Sequence, residues 1–159
     1  MFIGRLSYSV DAKGRLSIPA EFRAVLAQQF GTEEVWIAPW KEINETTHQT
    51  ARILHAYPRS RWDEITAKLA AASSYDPALL EFKRQFLSAA TQCVPDKQGR
   101  IALTPQQRGH AGIESEVMFV GAGVPFIEIW DLQTFDRWQE QHEDAAFAGI
   151  GRRLMELAL

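Results

Sequence analysis

The chain has 159 residues, 46% of them hydrophobic and 23% charged, which is typical of a folded globular protein and excludes a wholly disordered chain. Its formal net charge of -3 excludes a uniformly basic surface, so nucleic acid would have to bind at a local basic patch. The single cysteine, Cys93, excludes an intrachain disulfide, and the lack of a signal-peptide pattern or a membrane-length apolar run predicts a cytoplasmic protein without membrane contact.

The first predicted elements are a strand and a tight turn. Apolar and polar side chains alternate over residues 2–10, which predicts a strand. Asp11 can accept hydrogen bonds from the backbone that follows it, and Gly14 can adopt a positive φ, so the two residues predict a tight turn. The segment continues as a short strand, residues 15–18, and a helix, residues 19–30, that Gly31 ends.

Two further strands and two helices are predicted between this segment and the second copy of the turn. Residues 35–38 and 53–58 have the apolar character of buried strands. We interpret the segment around residues 41–49 as a long hairpin loop, because insertions are usually tolerated in loops. The predicted helices are residues 60–72, with Trp62, Ile65 and Leu69 on one face, and residues 77–89.

The second half of the chain repeats the order of the first. Asp96-Lys97-Gln98-Gly99-Arg100 matches Asp11-Ala12-Lys13-Gly14-Arg15 at its aspartate, glycine and arginine. Arg108 corresponds to Arg23 at the same spacing, and Thr104-Pro105 predicts a second helix start. The repeat is completed by strands at residues 117–120 and 126–131 and by a helical tail, residues 132–157, with a break near Gly149 and Gly151.

Several stretches of the repeat together resemble one protein family. They are Met1-Phe2-Ile3-Gly4, residues 11–19, residues 96–100, residues 117–121 and Glu128-Ile129-Trp130. In these stretches the chain is similar to the MraZ family, the transcriptional regulators of the bacterial division and cell-wall gene cluster. The resemblance implies an α+β fold: a tandem pair of AbrB-like (SpoVT-AbrB) swapped-hairpin β units with flanking helices and a pseudo-two-fold axis within one chain. Residues 1–74 would form the first unit with its helix, and residues 75–159 the connecting helix, the second unit and the C-terminal helices.

The resemblance also implies a function and partners. Members assemble into ring-shaped homo-oligomers and bind short direct repeats in the double-stranded promoter DNA ahead of their own operon. By this resemblance the chain would be a repressor associated with the nucleoid. It would need no cofactor, metal or small-molecule substrate.

The same resemblance implies which residues contact DNA. The family's DNA-contacting arginine corresponds to Arg15, with Lys13 beside it, and the equivalent place in the second turn is Arg100, with Lys97 nearby. Asp11, Gly14, Asp96 and Gly99 would set the geometry of the turns. Members often carry a basic residue where this chain has Ile3; Arg5 would lie on the same strand face and is a candidate replacement.

Physical chemistry supports these candidates. An arginine directly after a tight turn projects from a corner of a sheet, and a two-stranded ribbon can enter the DNA major groove. There arginine can donate two hydrogen bonds to guanine O6 and N7, whereas Lys13 would meet phosphate as a point charge. One acidic chain should bind weakly, so a ring that presents several copies would strengthen binding through avidity.

Other polar and aromatic residues have structural interpretations. Arg23 and Arg108 could lie at the rim of a DNA site, although solvation on a helix surface or subunit salt bridges are favoured. The five tryptophans are expected in the core or at subunit interfaces, and Cys93 is expected as a buried, unreactive thiol. His142-Glu143-Asp144 is predicted to be a solvated helix surface.

Three other classes of protein are alternatives to a DNA-binding regulator. An enzyme is disfavoured because the chain has no Gly-x-Ser-x-Gly elbow, P-loop or Gly-x-Gly-x-x-Gly motif, and its histidines match no metal-binding spacing. An antitoxin would carry an AbrB-like domain followed by a disordered tail, whereas this second half repeats the first. A ring-forming scaffold that does not bind DNA stays open, and salt-sensitive DNA binding would discriminate against it.

Overall fold

The alternating pattern that starts the chain forms the edge strand of an antiparallel sheet. The computed structural model describes residues 1–159 and is α+β, with two sheets and six helices. The strands are β1 Ile3–Ser9, β2 Arg15–Ser17, β3 Val35–Ile43, β4 Thr50–Pro58, β5 Thr91–Cys93, β6 Arg100–Ala102, β7 Glu116–Ala122 and β8 Ile127–Asp131. The helices are α1 Ala20–Phe30, α2 Arg59–Ala71, α3 Pro77–Phe86, α4 Pro105–Ala111, α5 Leu132–Phe147 and α6 Gly151–Glu156.

The two halves of the chain contribute strands to both sheets. The six-stranded sheet has the order β1-β7-β8-β4-β3-β5, and β2 pairs with β6 in a separate two-stranded ribbon. The first strand of each half therefore lies against the other half: β1 pairs with β7, and β5 pairs with β3. Every one of these pairings is antiparallel, so the halves are interleaved.

Apolar side chains cover both faces of the six-stranded sheet. One face packs against α1, α4 and the β2–β6 ribbon, in a cluster that includes Phe2, Leu16, Phe22, Ile101 and Phe119. The opposite face packs against α2, α3 and α5, where Trp62, Phe86, Trp130 and Phe135 are buried. Burying each such side chain contributes about 1.5–3 kcal/mol relative to leaving it exposed, so the ribbon is held firmly on the sheet.

Local chemistry explains where the helices next to the turns begin and end. α4 starts with a capping box, in which the Thr104 hydroxyl accepts from the Gln107 amide and the Gln107 side chain accepts from the Thr104 amide. α1 ends at Gly31, whose φ of 75° is left-handed, as predicted. The end of α1 and the start of α4 therefore agree with the sequence signals, whereas the helix predicted over residues 77–89 ends at Phe86.

Two interpretations from the sequence are wrong in part or in full. The predicted hairpin loop at residues 41–49 is present but is shorter, residues 44–49, because β3 continues to Ile43 and β4 begins at Thr50. His142 is buried rather than solvated. Its Nδ1 donates to the Trp138 carbonyl at 2.9 Å, and its Nε2 lies 3.2 Å from the Thr47 hydroxyl. The tip of the β3–β4 hairpin thus covers a polar face of α5, which the sequence of α5 alone predicted to be exposed to solvent.

The division predicted between residues 74 and 75 lies in the link between α2 and α3. As a domain boundary it stays a prediction, since strands from both sides of it share one sheet. None of the six helices combines the length and the apolar character that a bilayer-crossing helix needs.

Candidate nucleic-acid interface

The two repeated turns have the same internal hydrogen bonds. In the first turn, Oδ1 of Asp11 accepts from the amides of Lys13 and Arg15, both at 2.9 Å. The Gly14 amide donates to the Asp11 carbonyl at 3.0 Å, and Gly14 has a φ of 76°. Both aspartate and glycine are therefore required by the turn geometry.

The second turn reproduces this arrangement. Oδ1 of Asp96 accepts from the amides of Gln98 at 2.8 Å and Arg100 at 2.9 Å. Gly99 also has a φ of 76°, and its amide donates to the Asp96 carbonyl at 2.9 Å. The repeat seen in the sequence is thus a repeat of geometry.

Each aspartate also holds the arginine that follows its turn. Nε of Arg15 donates to Oδ2 of Asp11 at 2.8 Å, and Nε of Arg100 donates to Oδ2 of Asp96 at 2.9 Å. The terminal Nη groups of both arginines have no hydrogen-bond partner within the chain. The backbone amide of the arginine, followed by its side chain, lowers the pKa of each aspartate below its usual value. Both carboxylates are therefore charged at neutral pH and orient the guanidinium groups.

The ribbon places the two arginines on one exposed face. β2 and β6 pair with Arg15 opposite Ala102, Leu16 opposite Ile101, and Ser17 opposite Arg100. Leu16 and Ile101 point into the core. The neighbouring positions face outwards, so Arg15 and Arg100 are diagonal neighbours, with side chains 39% and 36% exposed. Both line the same depression of about 320 Å³.

The halves are joined crosswise at the ends of the ribbon. The Ile18 amide donates to the Gly99 carbonyl, and the Leu103 amide donates to the Gly14 carbonyl, both at 2.9 Å. The first turn is therefore bonded to the segment that follows β6, and the second turn to the segment that follows β2. This reciprocal bonding fixes the spacing of the two turns.

Two helix arginines reinforce the same crosswise arrangement. A Cβ atom on Gly99 would lie 2.5 Å from Nε of Arg23 in α1, and one on Gly14 would lie 2.8 Å from Nε of Arg108 in α4. Neither arginine forms an ion pair within the chain. The sequence did not lead us to predict this packing. The one sequence feature that pointed to it is that Arg23 and Arg108 occupy equivalent positions in the two repeats.

The other predicted basic residues lie in two places. Lys13 and Lys97 are exposed within the first and second turn, next to the arginines of the ribbon. Arg5 is not brought to the ribbon: it lies in the middle of β1, with its Cζ 5.2 Å from the centre of the Phe135 ring on α5. The structure thus gathers four of the five predicted DNA-contacting residues at the ribbon and its turns.

Other reactive groups do not form a second polar site. Cys93 is buried at the base of the ribbon depression, and burial raises the pKa of its thiol. This agrees with the predicted unreactive thiol. No group of three or more histidine, cysteine, aspartate or glutamate side chains is arranged to hold a metal ion.

Comparisons with known proteins give a consistent family. A sequence profile described as "MraZ protein, putative antitoxin-like" matches residues 1–85 and again residues 86–156. The chain is 39% identical over 145 residues to a protein named "Transcriptional regulator MraZ" from Pelobacter propionicus, an alignment that covers 90% of this chain and 89% of that protein. Proteins of the same name from Actinobacillus pleuropneumoniae and Thermomicrobium roseum are 37% identical over 155 residues and 35% identical over 159 residues. These alignments cover 97% and 99% of this chain and 93% and 99% of the respective relatives. The chain therefore belongs to the MraZ family.

Proposed function

We propose that this chain is a sequence-specific DNA-binding transcriptional regulator, and that the outer face of the β2–β6 ribbon with its two turns is the DNA-reading surface. Its target is a set of short direct repeats in the promoter of the division and cell-wall gene cluster, including its own gene. It acts there as a repressor, in the form of a ring-shaped homo-oligomer. The name that the relatives share, transcriptional regulator, supports the general function.

One observation carries this proposal: Arg15 and Arg100 lie on one exposed face, and each is oriented by its own aspartate while its Nη groups stay free. A guanidinium held at Nε keeps two donors that can reach guanine O6 and N7 together. Because less side-chain freedom is lost on binding, an oriented arginine binds more tightly than a mobile one. Lys13 and Lys97, exposed in the turns, are suited to phosphate contacts.

The charge balance supports assembly into several copies. Asp11 and Asp96 offset much of the charge of the two arginines, and the whole chain has a net charge of -3. One ribbon therefore makes few phosphate contacts, so a single chain binds weakly. Several ribbons bound to regularly spaced DNA elements would raise the affinity without new contacts, which is why direct repeats and a ring suit this surface.

The antitoxin alternative receives less support from the fold. An antitoxin of this kind would end in a segment that folds only on its toxin, whereas residues 86–156 match the family profile again. That half supplies β5, β6, β7 and β8 to the shared sheets. The second half is therefore part of the fold that holds the reading surface.

A DNA-binding assay across a salt series tests the proposed function. Labelled promoter DNA from directly upstream of the gene would be compared with unrelated DNA of equal length, for wild type, Arg15→Ala and Arg100→Ala. Arg52→Ala is a matched control, because Arg52 is an exposed, unpaired arginine on β4. Wild type should prefer the promoter, and its affinity should fall steeply as salt rises.

The expected ranking distinguishes the ribbon from general electrostatics. Arg15→Ala and Arg100→Ala should each lose about tenfold to a hundredfold in promoter affinity and keep their oligomeric state. Arg52→Ala should bind as wild type. Equal affinity of wild type for promoter and unrelated DNA, or a loss in Arg52→Ala as large as in the ribbon variants, would reject the proposal.

A further inference from the structure

The outer face of the β2–β6 ribbon repeats its arginines but not their neighbours. Arg15 and Arg100 occupy equivalent positions in the two repeats, and so do Ser17 and Ala102. All four positions alternate with buried residues of the ribbon and therefore face outwards. The two arginines are alike, whereas the hydroxyl of the first repeat is replaced by a methyl group in the second. The face thus has two chemically different sides.

The strand register gives each arginine a different neighbour across the ribbon. Arg15 lies opposite Ala102, and Arg100 lies opposite Ser17. The Cβ atoms of such opposed residues are about 5 Å apart. Successive base pairs of B-DNA lie about 3.4 Å apart, so an arginine and the residue opposite it can reach adjacent base pairs. Arg15 is therefore combined with a methyl group and Arg100 with a hydroxyl group.

A second exposed apolar side chain lies on the same side as Ala102. Val94 is 71% exposed and lines the ribbon depression together with Arg15, Arg100 and Ala102. The equivalent residue of the first repeat is Ser9, an exposed residue at the end of β1. Both differences therefore have the same sense: the second repeat is apolar where the first has a hydroxyl group.

The methyl group of thymine is the base feature that fits the Ala102 side, which we define as Ala102 and Val94. In the major groove thymine presents its C5-methyl group, which small apolar side chains contact. Cytosine presents an amino donor there, and two apolar side chains would remove water from it without offering an acceptor. The hydroxyl of Ser17 can donate or accept, so it suits several bases. Only the Ala102 side should select thymine.

We infer that Ala102 and Val94 read the methyl group of a thymine that stacks next to the guanine contacted by Arg15, so that the ribbon binds its DNA element in one orientation. The inference rests on the proposed function and deepens it, because it names a base and the side chains that read it. A face with two equal sides would bind an element equally well in either direction. Unequal sides suit elements that all run the same way, as in the proposed direct repeats.

Removal of single methyl groups from the DNA tests this contact. In synthetic duplexes of the promoter directly upstream of the gene, each thymine in turn would be replaced by deoxyuridine, which lacks only the C5-methyl group. Fluorescence anisotropy at fixed salt would give the affinity for each duplex. Wild type should lose about fourfold at one thymine position of a repeat, the effect of one methyl group that is no longer buried. The other replacements should leave its affinity unchanged.

Two variants remove the apolar side chains without foreign residues. Ala102→Ser and Val94→Ser introduce the residue that the first repeat has at each equivalent position, and both sites are exposed. Each variant should bind the unmodified promoter more weakly and lose most of the distinction between thymine and deoxyuridine. Ala145→Ser, the same change at an exposed position of α5, is the matched control and should keep the full distinction.

The position of the methyl-sensitive thymine is checked through the arginines. Replacing the guanine next to that thymine by 7-deazaguanine removes the N7 acceptor that an arginine would contact. This replacement should weaken binding by wild type and by Arg100→Ala, and it should have little further effect on Arg15→Ala, because the contact is already lost there. The opposite dependence would place the Ala102 side next to Arg100 and overturn the inference.

Failure of the inference can be distinguished from failure of the proposed function. A wild type that prefers the promoter and yet responds to no single deoxyuridine would overturn the inference alone. The same holds if Ala102→Ser and Val94→Ser both keep the wild-type distinction between thymine and deoxyuridine. A wild type with equal affinity for promoter and unrelated DNA would overturn the inference and the proposed function together.

Discussion

The guanidinium group of Arg108 lies against Gly14, a residue of the opposite half of the chain. A Cβ atom on Gly14 would be 2.8 Å from Nε of Arg108 and 2.9 Å from the carbonyl oxygen of Leu103. The same relationship joins Arg23 to Gly99 at 2.5 Å. Each turn of the proposed DNA-reading surface therefore packs against a helix of the other half. A substitution in a helix of one half should therefore disturb the turn of the other half.

Alanine substitution of the turn glycines tests this packing. Gly31→Ala is the control, since Gly31 has a similar φ of 75° with no atom near an added Cβ, and it should cost roughly 1–2 kcal/mol from backbone strain. Gly99→Ala should cost more, and Gly14→Ala most, because a backbone carbonyl also blocks its Cβ. Urea unfolding gives the three free energies. Equal losses at all three glycines would show that only φ matters.

Neutralising the aspartate of the first turn should lower the preference for promoter DNA over unrelated DNA. Asp11→Asn keeps an oxygen for the turn but removes the charge that holds Nε of Arg15. Promoter affinity should fall about tenfold as the arginine loses its orientation, while binding to unrelated DNA rises slightly because a charge that repels phosphate is gone. Fluorescence anisotropy measures both. Glu143→Gln, an exposed charge loss on α5, should change neither, and an unaltered specificity in Asp11→Asn would count against the orienting role.

Arg5 is predicted to act on stability more than on DNA. Its guanidinium stacks on Phe135, a contact that contributes about 0.5–1 kcal/mol at an exposed site. Arg5→Ala should lose about that much free energy of unfolding and leave the promoter affinity and its salt dependence unchanged. Urea unfolding and the salt series give the two values. A reduced salt dependence with unchanged stability would instead identify Arg5 as the DNA contact that the sequence comparison implied.

His55 should make the fold sensitive to acid. Its ring lies between those of Trp40 and Phe126, and burial lowers its pKa from 6.5 to about 3. The pKa of His55 is lower in the folded state than in the unfolded state, so protonation of His55 favours unfolding. Its effect on the free energy of unfolding is absent above pH 6.5 and grows as pH falls from there towards 3. The loss from this group should be about 1.4 kcal/mol per pH unit, or about 2 kcal/mol by pH 5.

Unfolding measured at several pH values checks this decline. His55→Phe should flatten the slope between pH 6.5 and 5, even if it lowers stability at pH 7 by leaving the Tyr57 hydroxyl, 2.8 Å from Nδ1, without its partner. His48→Asn is the control, because His48 is exposed and its φ of 59° is tolerated by asparagine. A slope that persists in His55→Phe would assign the acid sensitivity to other groups.

Local chemistry made much of this fold predictable from the sequence. Asp11 and Gly14 form their turn through bonds within four residues, so any chain with these residues there can make it. Gly31 and the Thr104–Gln107 capping box ended and began helices for equally local reasons. The match between the two halves also implied equal turns, and the geometry of Asp96 and Gly99 agrees.

Only the tertiary structure decided which residues far apart in the chain are in contact. The ribbon faces Arg15 and Arg100 outwards only because Leu16 and Ile101 are drawn into a shared core. Arg108 packs against Gly14, and His142 lies beside Thr47. These residues are far apart in the chain, and no hydrophobic periodicity in the sequence predicts that they are in contact. A turn depends on bonds between near neighbours, which residue types reveal; long-range packing depends on which surfaces the whole chain can bury together, and that is settled only when the sheet forms.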